Sequence, residues 1–264
     1  MFEESARVRY GKSPLLEVVC QLRFPTILSI SAQEPAGFQE TVRADFPRYE
    51  ARQDQPAPRI TGAGTPNPVL QPQKPVTNYH FLSEDGIWRL NLTNYFIALT
   101  CRRYTSWEEF AGRLDQALAG FIRTYQPAYF ERVGLRYLNA VSRKALGLEG
   151  TPWRELIAPA CLGILQAGDV AEAQVSRCAQ DVELGLTGGC RLKLHTGPGL
   201  VRRGDQPQDQ EVRWILDMDL SLPGKLPVNR SAPALQMLHM HAGPIFRSAL
   251  QDALYDALEP TILE

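Results

Sequence analysis

Residues 15–24, with the sequence Leu-Leu-Glu-Val-Val-Cys-Gln-Leu-Arg-Phe, follow Pro14 and alternate between apolar and polar side chains. Because successive side chains of a β-strand point to opposite sides, this alternation predicts a strand with two unlike faces. The apolar face would carry Leu16, Val18, Cys20, Leu22 and Phe24. The polar face would carry Glu17, Gln21 and Arg23. The segment therefore predicts a half-buried strand of an antiparallel sheet.

A similar segment recurs near the middle of the chain, where residues 131–137 have the sequence Glu-Arg-Val-Gly-Leu-Arg-Tyr within a predicted strand at 129–141. After each segment the pattern predicts a short helix, a three-stranded meander and a long helix. This order occurs twice over about 115 residues each, the spacing expected of a duplicated unit. We therefore expect an α+β fold of two tandem β-α-β(3)-α units, residues 1–127 and 128–264. Each would have an antiparallel sheet with its helices on one face, in a pseudo-two-fold arrangement.

In the first unit, Pro35–Phe46 predicts the short helix. Tyr79–Arg102 predicts the meander, with a turn at Asp85-Gly86. Ser106 and Glu109 form a capping-box pattern that starts the long helix, and Pro127 closes it. The proline-rich segment 50–77 predicts a long irregular loop that pairs at most briefly with the sheet.

In the second unit, Trp153–Leu165 predicts a short helix, and strands are expected at about 171–186, 189–195 and 211–222. A last helix is expected from about 232 to 258. Gly243-Pro244 lies inside it, and proline removes a backbone donor and clashes with the preceding turn. We therefore expect a kink at this point.

The composition excludes several classes of protein. The 264 residues are 44% hydrophobic and 22% charged, with a net charge of -1, so no global charge attracts nucleic acid or an anionic membrane. No window approaches the ~20 consecutive apolar residues that cross a bilayer. The five cysteines are odd in number and form no C-x-x-C pair, which favours buried thiols in a reducing cytoplasm. We expect a cytoplasmic protein without a cofactor.

Standard enzyme signatures are missing from the sequence: it contains no phosphate-binding P-loop, no G-x-S-x-G nucleophile elbow and no H-E-x-x-H metal helix. His239 and His241 are two residues apart on the last helix and cannot converge on one metal. We interpret His239 as a hydrogen-bonded structural histidine between helix and sheet.

Asp217 and Asp219 are the sharpest candidates for chemistry, because alternate residues of a strand present their carboxylates on one face. With Glu183 on a neighbouring strand they could hold Mg²⁺, as a metal-dependent hydrolase or nuclease requires. The alternative is a solvated sheet face on which cross-strand cations balance the two carboxylates, namely Arg191, Lys193 and Arg213.

The polar sides of the predicted strands also carry Arg132 and Arg136, and Arg23 and Arg89 have equivalent places in the first unit. Our candidate binding residues on this face are Arg23, Arg132, Arg136, Arg191, Lys193 and Arg213, interrupted by Glu17, Asp217 and Asp219. Such mixed charge suits a protein partner better than a phosphate backbone. Local basic clusters at Arg102-Arg103 and Arg202-Arg203 leave a limited nucleic-acid contact open, either direct or through a partner complex.

Three parts of the chain together resemble a sporadically distributed family of uncharacterised bacterial proteins. They are the opening Ser13–Pro25 segment with the following Phe38 and Phe46-Pro47, the central Glu131–Asn139 segment, and Leu238-His239 with Phe246. The resemblance implies a cytoplasmic location and inheritance with mobile or defence gene clusters, and it supplies no catalytic residue or cofactor.

Our functional expectation is a non-enzymatic protein-interaction component, accessory or regulatory, of a bacterial mobile-element or defence system such as a CRISPR-associated one. The metal-dependent hydrolase or nuclease using Asp217 and Asp219 is one alternative. A protein that binds a small ligand between the sheet and the last helix is the other.

Overall fold

The computed structural model describes residues 2, 6–61, 69–202 and 209–263. Its strands are β1 (Val8–Tyr10), β2 (Leu15–Arg23), β3 (Arg48–Asp54), β4 (Arg59–Thr61), β5 (Val69–Gln71), β6 (Val76–Leu82), β7 (Trp88–Leu92), β8 (Phe96–Cys101), β9 (Phe130–Val141), β10 (Gln180–Gly185), β11 (Arg191–Leu200), β12 (Val212–Leu226) and β13 (Pro260–Ile262). Its α-helices are α1 (Leu28–Ala32), α2 (Ala36–Val42), α3 (Trp107–Tyr125), α4 (Arg143–Leu146), α5 (Pro159–Leu162), α6 (Ser231–Ser248) and α7 (Asp252–Ala257).

One nine-stranded antiparallel sheet organises the molecule, in the order β10-β11-β12-β9-β2-β8-β7-β6-β3. Both halves of the chain contribute to it. Strands β2 and β9, which hold the two similar sequence segments, lie side by side, with Cys20 opposite Leu135. The predicted mixed α and β fold with a large antiparallel sheet is confirmed.

Alternation in the central strands produces the two faces that the sequence predicts. Val18, Cys20 and Leu22 of β2 are fully buried, as are Val133 and Leu135 of β9. These side chains belong to one apolar core that also contains the inner stripes of α3 and α6. Burial of this shared face is the main source of stability.

Helices α3 and α6 cover the apolar side of the sheet and contact each other. The indole Nε1 of Trp107 in α3 donates to the Gln236 side chain of α6 at 2.7 Å. Helix α3 begins as predicted, because the Ser106 hydroxyl accepts the Glu109 backbone N–H at 3.2 Å. No helix in the described ranges is both long and apolar enough to span a membrane.

The proline-rich segment is more ordered than predicted. Residues 50–54 continue β3, which pairs with β6 from Arg48 opposite Leu82 to Asp54 opposite Val76. The prediction of an irregular loop was wrong here because the prolines begin only at Pro56, so the preceding backbone N–H groups can pair. Beyond it, β4 pairs with β5, and residues 62–68 lie outside the described part of the chain.

Two elements of the second half are shorter than predicted. Residues 171–179 are not strand, because Glu172–Gln174 forms a turn of 3₁₀ helix before β10. The Glu172 carboxylate holds that turn in place through Arg143 at 3.0 Å. The predicted helix at 153–165 is instead divided into two 3₁₀ turns and α5, which starts at Pro159.

The break in the last helix lies after Pro244 rather than at it. Helix α6 continues through Pro244 and ends at Ser248, and α7 starts at Asp252. Between them the backbone leaves the helical pattern to pair with the earlier segment. Ala158 donates to the Ala249 carbonyl and Gln251 donates to the Leu156 carbonyl, both at 2.9 Å. This exchange of hydrogen-bond partners was not visible in the helical periodicity.

Candidate functional site: the polar face of the sheet

The polar face is the side of the nine-stranded sheet opposite α3 and α6. On β9, Leu135 and Tyr137 point into the core, so Arg132, Gly134 and Arg136 take the polar face. On β12, the alternation that buries Met218 and Leu220 places Asp217 and Asp219 there. The predicted acidic and basic candidates of these two strands therefore share one surface.

Arg136 and Asp217 form a two-point ion pair across β9 and β12. Nε of Arg136 donates to Oδ1 of Asp217 at 2.7 Å, and Nη2 donates to Oδ2 at 2.5 Å. The Asp217 side chain is only 18% exposed. Its hydrogen bonds to Arg136 are the largest cause that raises the pKa of the guanidinium. This geometry matches the rigid fork of arginine to a carboxylate.

Asp219 is held by the second arginine of β9. Nη2 of Arg132 lies 2.7 and 2.8 Å from the two oxygens of Asp219. The pair is diagonal, because Asp219 stands opposite Arg136 in the register. Gly134 makes this reach feasible, since a Cβ at that position would lie 2.2 Å from Nη1 of Arg132. The Arg132 guanidinium thus occupies the space that a side chain at 134 would need.

Two further pairs extend the pattern towards the β10 edge. Lys193 contacts Glu183 at 2.7 Å, and His195 Nδ1 contacts Asp181 at 2.8 Å. Both pairs join directly opposed residues of β10 and β11. These four residues, with Arg136, Asp217 and Asp219, line an open depression of about 460 Å³.

The structure does not bring Asp217, Asp219 and Glu183 together as free metal ligands. Each carboxylate is engaged by a different cation: Arg136, Arg132 and Lys193 respectively. Within the ranges that the structure describes, no group of three or more His, Cys, Asp or Glu is arranged to hold a metal ion. The cations that engage the two aspartates are Arg136 and Arg132 of β9, in place of Arg191, Lys193 and Arg213, which the alternative interpretation named.

The remaining predicted binding residues lie apart from these pairs. Arg213 contacts Asp209 at 2.5 Å and Glu211 at 3.1 Å. Arg23 is exposed and lies 5.9 Å from the centre of the Tyr95 ring. Arg191 is exposed on β11, opposite Ser221. Of the two basic clusters, Arg103 lies 3.9 Å from Asp85, and Arg203 falls outside the described residues.

The first half of the sheet adds buried and partly buried polar residues to the same face, of which only Arg89 was predicted to lie there. Asn91 of β7 donates to Asn78 of β6 at 3.0 Å, and Asn78 donates to Asp54 of β3 at 2.6 Å. His80 and Arg89 stand beside this chain of hydrogen bonds. Alternating polar residues in the predicted meander were the available signal.

His239 lies on the other side of the sheet, between α6 and β9. Its Nδ1 is 2.8 Å from the Tyr137 hydroxyl, and its ring stacks on Trp107 with 4.3 Å between ring centres. Burial is the main cause that lowers the pKa of His239 to about 4. The residue is a hydrogen-bonded core histidine, as the sequence predicts.

Comparison with known proteins does not add a relative: no family model matches the chain, and no curated protein gives a significant match.

Proposed function

We propose that the protein is a non-enzymatic interaction module that binds a partner protein through the polar face of its sheet. The observation that carries this proposal is the row of engaged ion pairs, Arg136–Asp217, Arg132–Asp219 and Lys193–Glu183. Each carboxylate has a cation beside it, so the signs alternate over the distance of a few side chains. Carboxylates held in this way are poor metal ligands, but a fixed pattern of charges is a good recognition surface.

Charge complementarity favours a folded protein as the occupant. A nucleic-acid backbone would meet the three carboxylates as repulsive groups, and its tight binding favours a uniformly basic stripe. A protein surface can present acidic groups to Arg132 and Arg136 and basic groups to Asp217 and Asp219. Such complementarity sets partner choice and association rate more than affinity.

The family resemblance extends the proposal to an accessory or regulatory component of a bacterial mobile-element or defence system acting in the cytoplasm. The cysteines are compatible with that compartment, since Cys20, Cys101, Cys161, Cys178 and Cys190 are all free thiols. Products of neighbouring genes are therefore the first partners to test.

We also propose that the two halves of the chain are copies of one unit. The support is the strand order outward from the sheet centre: β2-β8-β7-β6 on one side and β9-β12-β11-β10 on the other. In each half the first strand is central and the following meander runs inward from the edge. Strand β3 is additional in the first half.

A charge exchange at one ion pair tests the docking function. The chain is co-expressed with each neighbouring gene product, and a stoichiometric complex is isolated by size-exclusion chromatography. The double variant Arg136→Asp/Asp217→Arg keeps an internal pair but reverses the pattern offered to the partner. We expect it to fold and to weaken the complex at least ~10-fold, because like charges now face each other.

The matched control is Arg247→Asp/Asp252→Arg, which exchanges an ion pair of 3.0 Å formed by α6 and the start of α7. This variant should retain full binding. Equal binding by the wild type and the Arg136/Asp217 exchange would remove the polar face as the docking surface. Failure of every neighbouring product to form a stoichiometric complex would count against the interaction function itself.

A further inference from the structure

Buried polar atoms without hydrogen-bond partners mark a second place on the polar face, in the first half of the sheet. Among the described residues three buried side-chain atoms have no hydrogen-bond partner: His80 Nε2, Arg89 Nε and Asn94 Oδ1. Two of the three belong to neighbouring strands. Buried polar groups are almost always satisfied, so an unsatisfied pair requires an explanation.

The register makes His80 and Arg89 diagonal neighbours on adjacent strands. His80 of β6 stands opposite Asn91, and Arg89 stands opposite Leu82, two residues further along β6. Such diagonal neighbours are about 7–8 Å apart at their Cα atoms, within reach of long side chains. Both residues take the polar face, because Phe81 and Leu90 beside them are fully buried in the core.

His80 and Arg89 are more buried than side chains of their polarity usually are. His80 is 7% exposed and Arg89 is partly buried. Desolvation is the largest cause that lowers the pKa of His80, and the neighbouring charge of Arg89 is the next. The imidazole is therefore neutral near pH 7. In the tautomer that carries its proton on Nε2, that nitrogen is a hydrogen-bond donor without a partner.

Arg89 differs from the other partly buried arginines of the polar face. Arg132, Arg136 and Arg213 each have a carboxylate within 3.1 Å. Arg89 has no ion pair among the described residues, and its strongest charged neighbour is another cation, Arg102. A partly buried guanidinium normally has an anionic partner.

We infer that His80 Nε2 and Arg89 Nε together form a binding site for one carboxylate group of a ligand. Arg Nε–H is only a donor, so the group that it binds must be an acceptor. The charged residues around Arg89 favour a ligand with a single negative charge. Arg52 is already engaged by Glu50 at 2.7 Å, and Glu17 and Asp54 also lie near Arg89. This partial neutralisation suits a singly charged carboxylate better than a doubly charged phosphate.

The carboxylate could come from a small organic acid or from an acidic side chain of a peptide, and the site chemistry is the same for both. The inference does not depend on the docking function, since it rests on residues of β6 and β7 rather than on the ion pairs of β9 and β12.

A titration of the full chain followed by NMR tests this site. Acetate replaces chloride at constant ionic strength at pH 7, and the Arg89 Nε–Hε and His80 ring signals are observed. We expect both to shift in a saturable way, with a dissociation constant on the order of 1 mM for so small a ligand. Arg89→Gln should weaken binding at least ~10-fold, while the matched control Arg136→Gln should leave it unchanged.

Two further arms complete the test. Arg89→Lys keeps the charge but loses the Nε–H, and it should also weaken binding, which covers the case in which Arg89→Gln fails to fold. A blocked peptide with a single glutamate is compared with acetate, and the tighter of the two identifies the source of the carboxylate. The inference is overturned if acetate gives no saturable shift, or if phosphate binds more tightly than acetate.

Discussion

Arg136 and Asp217 meet through two parallel contacts, Nε to Oδ1 at 2.7 Å and Nη2 to Oδ2 at 2.5 Å, on adjacent central strands. Lys193 and Glu183 form a single contact of 2.7 Å near the sheet edge, where their side chains are 63% and 69% exposed. The two pairs use the same kinds of charge in different surroundings. Their comparison shows whether the centre of the polar face is held more firmly than its margin.

A double-mutant cycle measures this difference. With Arg136→Gln and Asp217→Asn, we expect a coupling free energy of about 1 kcal/mol, because the bidentate contact is partly desolvated. The Lys193→Gln and Glu183→Gln cycle should give ~0.2–0.5 kcal/mol, as is usual for exposed pairs. Urea unfolding of the four proteins in each cycle provides the values. Equal coupling in both cycles would contradict the distinction.

Gly134 should be sensitive to substitution for a specific reason. In Gly134→Ala the new Cβ would lie 2.2 Å from Nη1 of Arg132, so the guanidinium must leave Asp219. We expect a loss of about 1 kcal/mol of unfolding free energy, the approximate value of the lost ion pair. The cost should fall to near zero in an Arg132→Ala background, which distinguishes a displaced arginine from backbone strain.

The matched control for this substitution is Gly112→Ala in α3, where a Cβ would have no neighbouring atom within 4 Å. Alanine is favoured over glycine inside a helix, so this variant should gain about 0.5–1 kcal/mol. The urea concentrations at the unfolding midpoints, converted to free energies with one common m-value, are sufficient to compare the two variants. A similar loss at both glycines would show that the effect is general to glycine removal.

The end of α3 offers a stabilising substitution. Gln126 adopts a left-handed backbone with φ 46° and ψ 57°, and its N–H donates to the Ile122 carbonyl at 3.0 Å. Only glycine accepts this conformation without steric cost. We expect Gln126→Gly to raise the free energy of unfolding by ~0.5–1 kcal/mol, as measured by thermal or urea unfolding. Gln126→Ala keeps the Cβ and should give no such gain.

Much of the fold could be predicted because burial imposes a period on the sequence. The alternation at residues 15–24 places Val18, Cys20 and Leu22 in the core, and Ser106 marks the start of α3. The errors arose where a distant segment decides the structure. The backbone at 249–251 leaves the helix and forms hydrogen bonds with residues 156–158. No local sequence pattern predicts this change of hydrogen-bond partners.

The site was predicted only in part, for a similar reason. Alternation correctly assigns Asp217 and Arg136 to one face, but it does not specify strand order. The cations expected to balance Asp217 and Asp219 were Arg191, Lys193 and Arg213, which lie on β11 and β12. The central position of β9 beside β12 supplies Arg136 and Arg132 instead. The diagonal placement of His80 beside Arg89 likewise depends on the register of β6 and β7.

His239 should make the stability of the protein depend on pH. Burial is the main cause that lowers its pKa to about 4, with the charge of Arg7 next and Glu108 acting in the opposite direction. Tyr137 and Trp107 are the other groups that face the ring. In the unfolded chain the imidazole has a pKa of about 6.5. Between these two values the unfolded state binds the proton and the folded state does not.

Stability should therefore fall as the pH decreases from about 6.5 to about 4, and this histidine should have no further effect at lower pH. The full effect corresponds to about 3 kcal/mol. Carboxylates titrate in the same range, so the measurement is the difference between the wild type and His239→Gln in urea unfolding at pH 7, 5.5 and 4. The variant should lose less stability on acidification. Parallel curves for the two proteins, or an imidazole that titrates near pH 6.5 by NMR, would show that the ring is protonated in the folded state.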